Sequence, residues 1–360
     1  MNLAAGRSLR VLLAVLVVGV LAACGGATSD AEPVAATDNT EGDAANPTTL
    51  NLGYFPNVTH ATALAGDREG IFAEALGDGV ELKTHFFNAG GEASEALLSE
   101  AIDATFIGPN PAINAFAQTN GEAVRIISGA TSGGAFLVVK PGIASRDDLK
   151  GKTLSTPQLG NTQDVALRAW LAEGGLATDE TGGGDVAILP QGNADILSAF
   201  VAGDIDGAWV PEPWATRMIA EGDGEVLVDE RDLWPDGKYV TTHVIVRTDY
   251  LNEHPEVVKN LLAGIVEATG FVNDNPDEAK QHVIEGIAEI TGEDTDPTVL
   301  DTAWENLLFT VDPVASSLQE SKDDAVAVGL LEEVDLNGIY DLSMLNEILD
   351  ERGDDPVEGL

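Results

Sequence analysis

Two hydrophobic rhythms take turns along this chain. "TLNLGYF" (49–55) reads as a short strand, "ATALAGDREGIFAEAL" (61–76) as a helix, "VELKTHFF" (80–87) as a strand and "EASEALLSEA" (92–101) as a helix. "ATFIG" is a buried strand and "PAINAFAQT" a helix, and "VRIISGA" and "GAFLVVK" add two further strands. The pattern restarts after Lys140. "SRDDLKGKTLST" gives a short helix and a strand, "TQDVALRAWLAEGG" a helix stopped by a glycine pair, "DVAILP" a strand and "NADILSAFVAGD" a helix. "IDGAWV" and "PWATRMIAEG" repeat strand and helix, and "YVTTHVIVRT" (239–248) is a long β-branched strand. From about Asn252 onward the spacing is mainly helical. Strands alternating with helices of this length predict parallel α/β units.

One unit occurs twice. A strand, the helix "NAGGEASEALLSEA", the strand "IDATFI" and the elbow "GPNP" are matched by a strand, "QGNADILSAFVAGD", "IDGAWV" and "PEP", with one gap at Gly108. Proline has no N–H and fixes φ, so an elbow of this kind ends a strand and starts a helix. In open α/β sheets ligands sit beyond the carboxyl ends of the strands. Two such halves are expected to face their strand ends across a cleft; the plainer alternative is a helix start in each half and nothing more.

The first residues have a different character. Arg7 and Arg10 precede an apolar run from Val11 to Val20, and "LAAC" follows. This is the layout of an export leader, with an apolar run too short for a confident membrane span. Leu21-Ala22-Ala23-Cys24 resembles the bacterial lipobox, which implies cleavage of residues 1–23 and lipid on Cys24, the sole cysteine. Residues 24–48, rich in Gly, Ala, Asp and Thr without apolar period, read as a flexible acidic tether.

Composition narrows the function. Of 360 residues, 61 are Asp or Glu and 18 are Lys or Arg, a net charge of −43, while 44% are hydrophobic. That is a globular chain with an acidic surface, and it argues against a nucleic-acid partner, which needs clustered cations. Screening of the self-repulsion by salt suits such a surface. No calcium loop, G-x-S-x-G, H-E-x-x-H, G-x-G-x-x-G or phosphate loop is present. His85, His243, His254 and His282 show no metal spacing, and no metal or cofactor is expected. Trp170, Trp209 and Trp304 fit apolar faces and are expected in the core.

"LGYFPNVTHATALAGDREGIF", "IDATFIGPNPAINAF", "ISGATSGGAFLVVKPGI", "LKGKTLSTPQLGNTQDVALRAWL" and "VPEPWATR" with "VDERDLWPDGKYVTTHVIV" together resemble the substrate-binding lipoproteins of ABC importers. The nearest group is similar to the aliphatic sulfonate, taurine and nitrate binders. The resemblance implies a type II periplasmic-binding-protein fold, α/β and two-lobed, with two crossover strands, "GAFLVVKPG" and "THVIVRT", and a ligand cleft. Lobe one would be 49–139 plus 244–360, and lobe two 140–243. It also implies a non-enzymatic, lipid-anchored monomer on the extracytoplasmic face of the cell membrane, handing a small anionic solute to a permease after hinge closure. Sulfonate or taurine is the leading ligand, with nitrate, bicarbonate and a pyrimidine vitamin precursor as alternatives. An exported enzyme of pyrimidine-precursor synthesis is the rival class, and a signalling ectodomain a third option.

On this reading the ligand meets loops at strand ends. The first half offers Tyr54, Phe55, Asn57, His60, Asn88, Gly90, Gly91, Pro109, Asn110, Ser132, Gly133 and Gly134. The second offers Gln158, Leu159, Gly160, Asn161, Thr162, Gln191, Asn193, Glu212 and Trp214. Exposed N–H groups at helix starts, with glycine allowing close approach, bind oxyanions without a formal cation. "SGG" fits a turn as well as a site, and Asn161 or Thr162 fits a helix N-cap as well as a ligand contact. His60 suits either a ligand or a neighbouring carbonyl. Glu212 suits a ligand ammonium or an arginine partner. Tyr54, Phe55 and Trp214 suit an alkyl portion.

Overall fold

The computed structural model describes residues 47–360, and their strands form two mixed sheets. Strands β1 (Thr48–Tyr54), β2 (Val80–Phe86), β3 (Ala104–Ile107) and β4 (Val124–Gly133) enter the first sheet. Strands β5 (Ala135–Val139), β6 (Thr153–Thr156), β7 (Ala187–Pro190), β8 (Gly207–Pro211) and β9 (Glu225–Asp229) make up the second. The chain then returns to the first sheet with β10 (Val240–Arg247) and β11 (Leu307–Phe309). The strand orders are β11-β4-β10-β3-β1-β2 and β7-β6-β8-β5-β9. In each sheet the βα strands run parallel, β1 with β2 and β3, and β6 with β7 and β8. The linking strands β10 and β5 run antiparallel to them. The first passage from sheet to sheet is a single residue, Gly134, with φ +78°; a Cβ there would also collide with Leu307.

The core follows strand periodicity. In β10, Val244 and Val246 pack with Leu50, Leu52, Leu261 and Ile265 on one face, while Ile245 packs with Ile107, Ile113 and Phe116 on the other. Likewise in β5, Leu137 and Val139 join Trp209 and Trp170, and Phe136 and Val138 join Phe200 and Met218. Both linking strands are therefore covered on both faces, as an apolar run without alternation requires. Trp209 and Trp170 are buried as expected, and Trp304 is partly buried against the first core.

Three local differences from the sequence reading have physical causes. The helix read over 61–76 is two helices, Ala61–Arg68 and Ile71–Leu76, broken where Gly70 takes φ +82°. The strand "VRIISGA" continues through Gly133, because β11 pairs alongside it at Leu307–Gly133, Leu308–Ser132 and Phe309–Thr131. The tail is helical, as Pro255–Asp274, Pro276–Thr291, Pro297–Trp304, Ala315–Ala327 and Ser343–Arg352, but β11 interrupts it. Helix Ala315–Ala327 touches both Pro109–Gln118, beside the first sheet, and Thr162–Glu173, beside the second.

No helix among the described residues is long and apolar enough to cross a membrane. The leader 1–23, Cys24 and nearly all of the tether lie outside the described residues.

Candidate functional site

Four helix N-termini meet between the two sheets. Helices Gly90–Leu98 and Pro109–Gln118 follow β2 and β3, and helices Thr162–Glu173 and Asn193–Ala202 follow β6 and β7. Their first residues line one chamber through Ala89, Gly90, Gly108, Asn161, Thr162, Gln163 and Asn193. The first-turn N–H groups of a helix lack intrahelical partners and carry partial positive charge. Here Asn161 Oδ1 caps one of them, accepting Asp164 N–H at 3.0 Å. Phe55, Asn57, Thr59 and His60 close the chamber from the end of β1, and Thr241 and Thr242 from β10. Both proline elbows reach it, through Pro111 and Pro211.

No Asp, Glu, Lys or Arg lines this chamber. His60 is buried, and burial pulls its pKa down to about 3, so its ring is neutral. The ring stacks on Phe55 at 4.4 Å, and Nδ1 accepts Phe55 N–H at 3.4 Å, which leaves Nε2 to carry the hydrogen. The wall thus offers the hydroxyls of Thr59 and Thr162, amides, one imidazole N–H and helix N-termini, while the Thr241 and Thr242 hydroxyls donate to Gly133 O and Thr59 O. That donor set suits an oxyanion. The chamber measures about 40 Å³. A single water needs roughly 10–15 Å³ on this measure, so there is room for a headgroup of a few heavy atoms.

Asn57, Asn88 and Asn193 also line a wider cleft of about 670 Å³. Phe86, Phe87, Trp214 and Ile290 give it apolar walls, and Glu92, Asp195 and Glu293 add carboxylates. Trp214 Nε1–H donates to Asn57 Oδ1 at 3.0 Å, tying the two halves together across the opening. A second tie runs from Gly91 N–H to Gln158 Oε1 at 2.9 Å.

The remaining expected residues sit elsewhere. Tyr54 is buried in the first core, and its hydroxyl donates to Asp67 at 2.6 Å. Gly91, Gln158, Leu159 and Gly160 line a separate pocket beside the chamber. Pro109 and Asn110 are buried in the helix start, where Asn110 Nδ2 donates to Ser321 O. Ser132 and Gly133 are absorbed into β4, and Gly134 is the passage to β5. Gln191 donates its N–H to Thr156 O at the end of β7 and lines neither the chamber nor the cleft. Glu212 lines neither the chamber nor the cleft and has no arginine within ion-pair distance: its carboxylate accepts Thr216 N–H, Thr216 Oγ1–H and Asn306 Nδ2–H. Burial raises its pKa against those three donors. Thr59, Pro157, Gln163, Thr241 and Thr242 are chamber residues that the sequence did not single out. Outside both compartments, Glu69, Glu278 and His282 bring three potential ligand atoms within 4.8 Å of one another, with Glu69 and His282 hydrogen-bonded to each other.

A family model described as the NMT1-like family matches residues 43–288. The chain belongs to the NMT1-like family. It is 30% identical over 229 residues to the taurine-binding periplasmic protein of Escherichia coli K12, covering 63% of this chain and 68% of that one. Among solved structures it resembles the alkanesulfonate-binding protein SsuA of Xanthomonas axonopodis pv. citri bound to MOPS, with a TM-score of 0.66 and 22% identity over 81% of this chain and 96% of the other. It also resembles the periplasmic nitrate-binding protein NrtA of Synechocystis PCC 6803, with a TM-score of 0.68 and 16% identity over 85% of this chain and 89% of the other. At these identities the structural likeness speaks for the fold, the two-lobed α/β architecture of periplasmic binding proteins.

Proposed function

We propose that this protein is an extracytoplasmic solute-binding protein that captures a small organic anion, an aliphatic sulfonate or taurine, and delivers it to an ABC permease without transforming it. The observation that carries the reading is the chamber free of charged side chains, set on four helix N-termini and open to an apolar-walled cleft. An oxyanion headgroup fits the first compartment and an alkyl tail the second. Nitrate or bicarbonate would use the chamber alone and leave Trp214, Phe86 and Phe87 without a partner. A pyrimidine ring exceeds the chamber. The taurine-binding relative supports the ligand class. Closure of 49–139 plus 244–360 onto 140–243 would bring the two halves around the solute, and a ligand that bridges them favours the closed state by its differential affinity. Lipid on Cys24 would hold the monomeric protein at the membrane.

Thermal unfolding with taurine, alkanesulfonates, nitrate, bicarbonate and a pyrimidine tests the ligand. A ligand at about 100 times its Kd adds roughly 2.7 kcal/mol, so a sulfonate should raise Tm by several degrees while nitrate and the pyrimidine leave it in place. A shift with the pyrimidine alone, or turnover of any compound, overturns the proposal. Cys24→Ser should move the exported protein from the membrane fraction to the soluble fraction.

A further inference from the structure

Asn306 reaches from the first sheet to the second. It stands immediately before β11, whose Leu307 pairs with Gly133 of β4, and its side chain meets two residues that follow strands of the other sheet. Its Nδ2–H donates to Glu212 Oε1, just past β8, at 2.7 Å. Its Oδ1 accepts Arg231 Nη2–H, just past β9, at 3.2 Å. Arg231 is itself held by Asp229, which accepts from Nε at 3.0 Å and from Nη2 at 2.6 Å. A side-chain amide offers a donor and an acceptor side by side. A carboxylate at this position would meet Glu212 oxygen to oxygen, and an apolar side chain would leave both partners unanswered. Glu212 gives the contact its leverage. It is buried, so its carboxylate depends on its donors, and Asn306 is one of three. Glu212 also accepts Thr216 N–H in the first turn of helix Trp214–Gly222, the turn that presents Trp214 to the cleft and to Asn57. Helix Pro297–Trp304, which leads into Asn306, packs on that same helix.

We propose that Asn306 is the residue that positions the two halves for closure: a polar clasp whose strength sets how tightly any solute is held, without affecting which solute is chosen. This rests on the closure reading and adds a regulator to it. Asn306 lines neither the chamber nor the cleft, so it acts through Glu212 and Arg231 and not on the ligand. Each sheet has apolar cores of its own, so the contact joins the two without building either. Opening takes a donor from a buried carboxylate and an acceptor from an arginine, a cost that favours the closed arrangement. That contribution is added to the closed state whatever the solute is.

Calorimetric titration of the full chain with taurine and butanesulfonate, together with the distance between two spin labels, tests this. The labels go on Glu95→Cys and Ser198→Cys, exposed positions on helices Gly90–Leu98 and Asn193–Ala202, with Cys24→Ser removing the sole native thiol. Asn306→Ala and Asn306→Asp should each weaken both solutes by the same factor, roughly tenfold for a lost bond to a charged group. Each should also shift the label distances of the ligand-free chain to longer values. The double variant Asn306→Asp, Glu212→Gln exchanges donor and acceptor across the same contact. It should return affinity to within about twofold of the parent, whereas general damage to the fold would accumulate. Unchanged label distances, a different factor for each solute, or a double variant no better than the weaker single variant overturns the inference while leaving the reading of the chamber in place. Binding of neither solute by the parent overturns that reading, and the label distances with their recovery in the double variant then decide the clasp alone.

Discussion

Glu230 shows how one residue's surroundings fix its behaviour. It is fully buried at the foot of the second sheet, where Trp209 Nε1–H donates to its carboxylate at 2.7 Å. Burial outweighs that donor and pushes its pKa up to about 7 from an ordinary 4.5. A folded-state pKa above the unfolded value gives stability that is full below about pH 4.5 and is lost as pH rises through about 7. Glu230→Gln keeps an acceptor for Trp209 and cannot ionise. Its stability relative to the parent should improve by on the order of 3 kcal/mol between pH 4.5 and pH 8, as read by urea unfolding; no change across that range would disprove the assignment. His60 works in the opposite sense, since its depressed pKa gives stability present above about pH 6.5 and lost as pH falls. Such roles were not legible in sequence, where Glu230 is one acidic residue among 61. Glu212 makes the same point: its partner Asn306 is 94 positions away, and no local pattern signals that meeting. By contrast Phe55, Asn57, His60, Asn88, Gly90, Asn161, Thr162 and Asn193 all line the chamber. They were readable because each follows a strand and precedes or opens a helix, a local signal with a fixed geometric meaning.

Elements were legible where rhythm was strong and obscure where partners were remote. The βα units came through with boundaries shifted by up to three residues, as where the helix read over 92–101 is Gly90–Leu98. The three-residue strand β11 carries no periodic signal, and its pairing with β4 turned Ser132 and Gly133 from an expected loop into ladder. Thr241 and Thr242 looked like ordinary β-branched strand residues, yet they floor the chamber. Helix Thr162–Glu173 depends on a local device. Asp164 is fully buried and accepts Thr156 Oγ1–H at 2.8 Å, Gly160 N–H at 2.9 Å and Arg168 Nε–H at 2.9 Å. It therefore fixes the loop that presents Asn161 and Thr162. Asp164→Ala leaves Arg168 buried without its partner and should cost roughly 3–5 kcal/mol. Adding Arg168→Met should recover part of that loss. If the double variant is less stable than the single one in chemical denaturation, the buried pair is not what anchors this helix start.

At the scale of the molecule, the two sheets are linked by chain passages, by helix Ala315–Ala327 and by hydrogen bonds such as Gly91 to Gln158. Gln158 does not line the chamber. Gln158→Ala should weaken every ligand by the same factor, roughly 2- to 10-fold for one lost hydrogen bond, because it acts on closure; a ligand-dependent factor would mean direct contact. The charge of −43 is also a property of the whole. Raising NaCl from 0.01 to 1 M shortens the screening length from about 30 Å to about 3 Å. Self-repulsion then fades, and Tm should rise by several degrees; a flat or falling Tm would show that the surface charge is not felt by the fold. Composition announced that charge at once, while the ties between the halves depend on the finished arrangement of both.

The chamber's lack of lysine and arginine has a consequence in concentrated salt. A guanidinium would attract chloride, which then competes with the solute. Amide hydrogens and hydroxyls set around a polyatomic headgroup discriminate by outline, and a spherical halide satisfies only a few of them at once. Molar chloride should therefore leave capture of the solute nearly untouched.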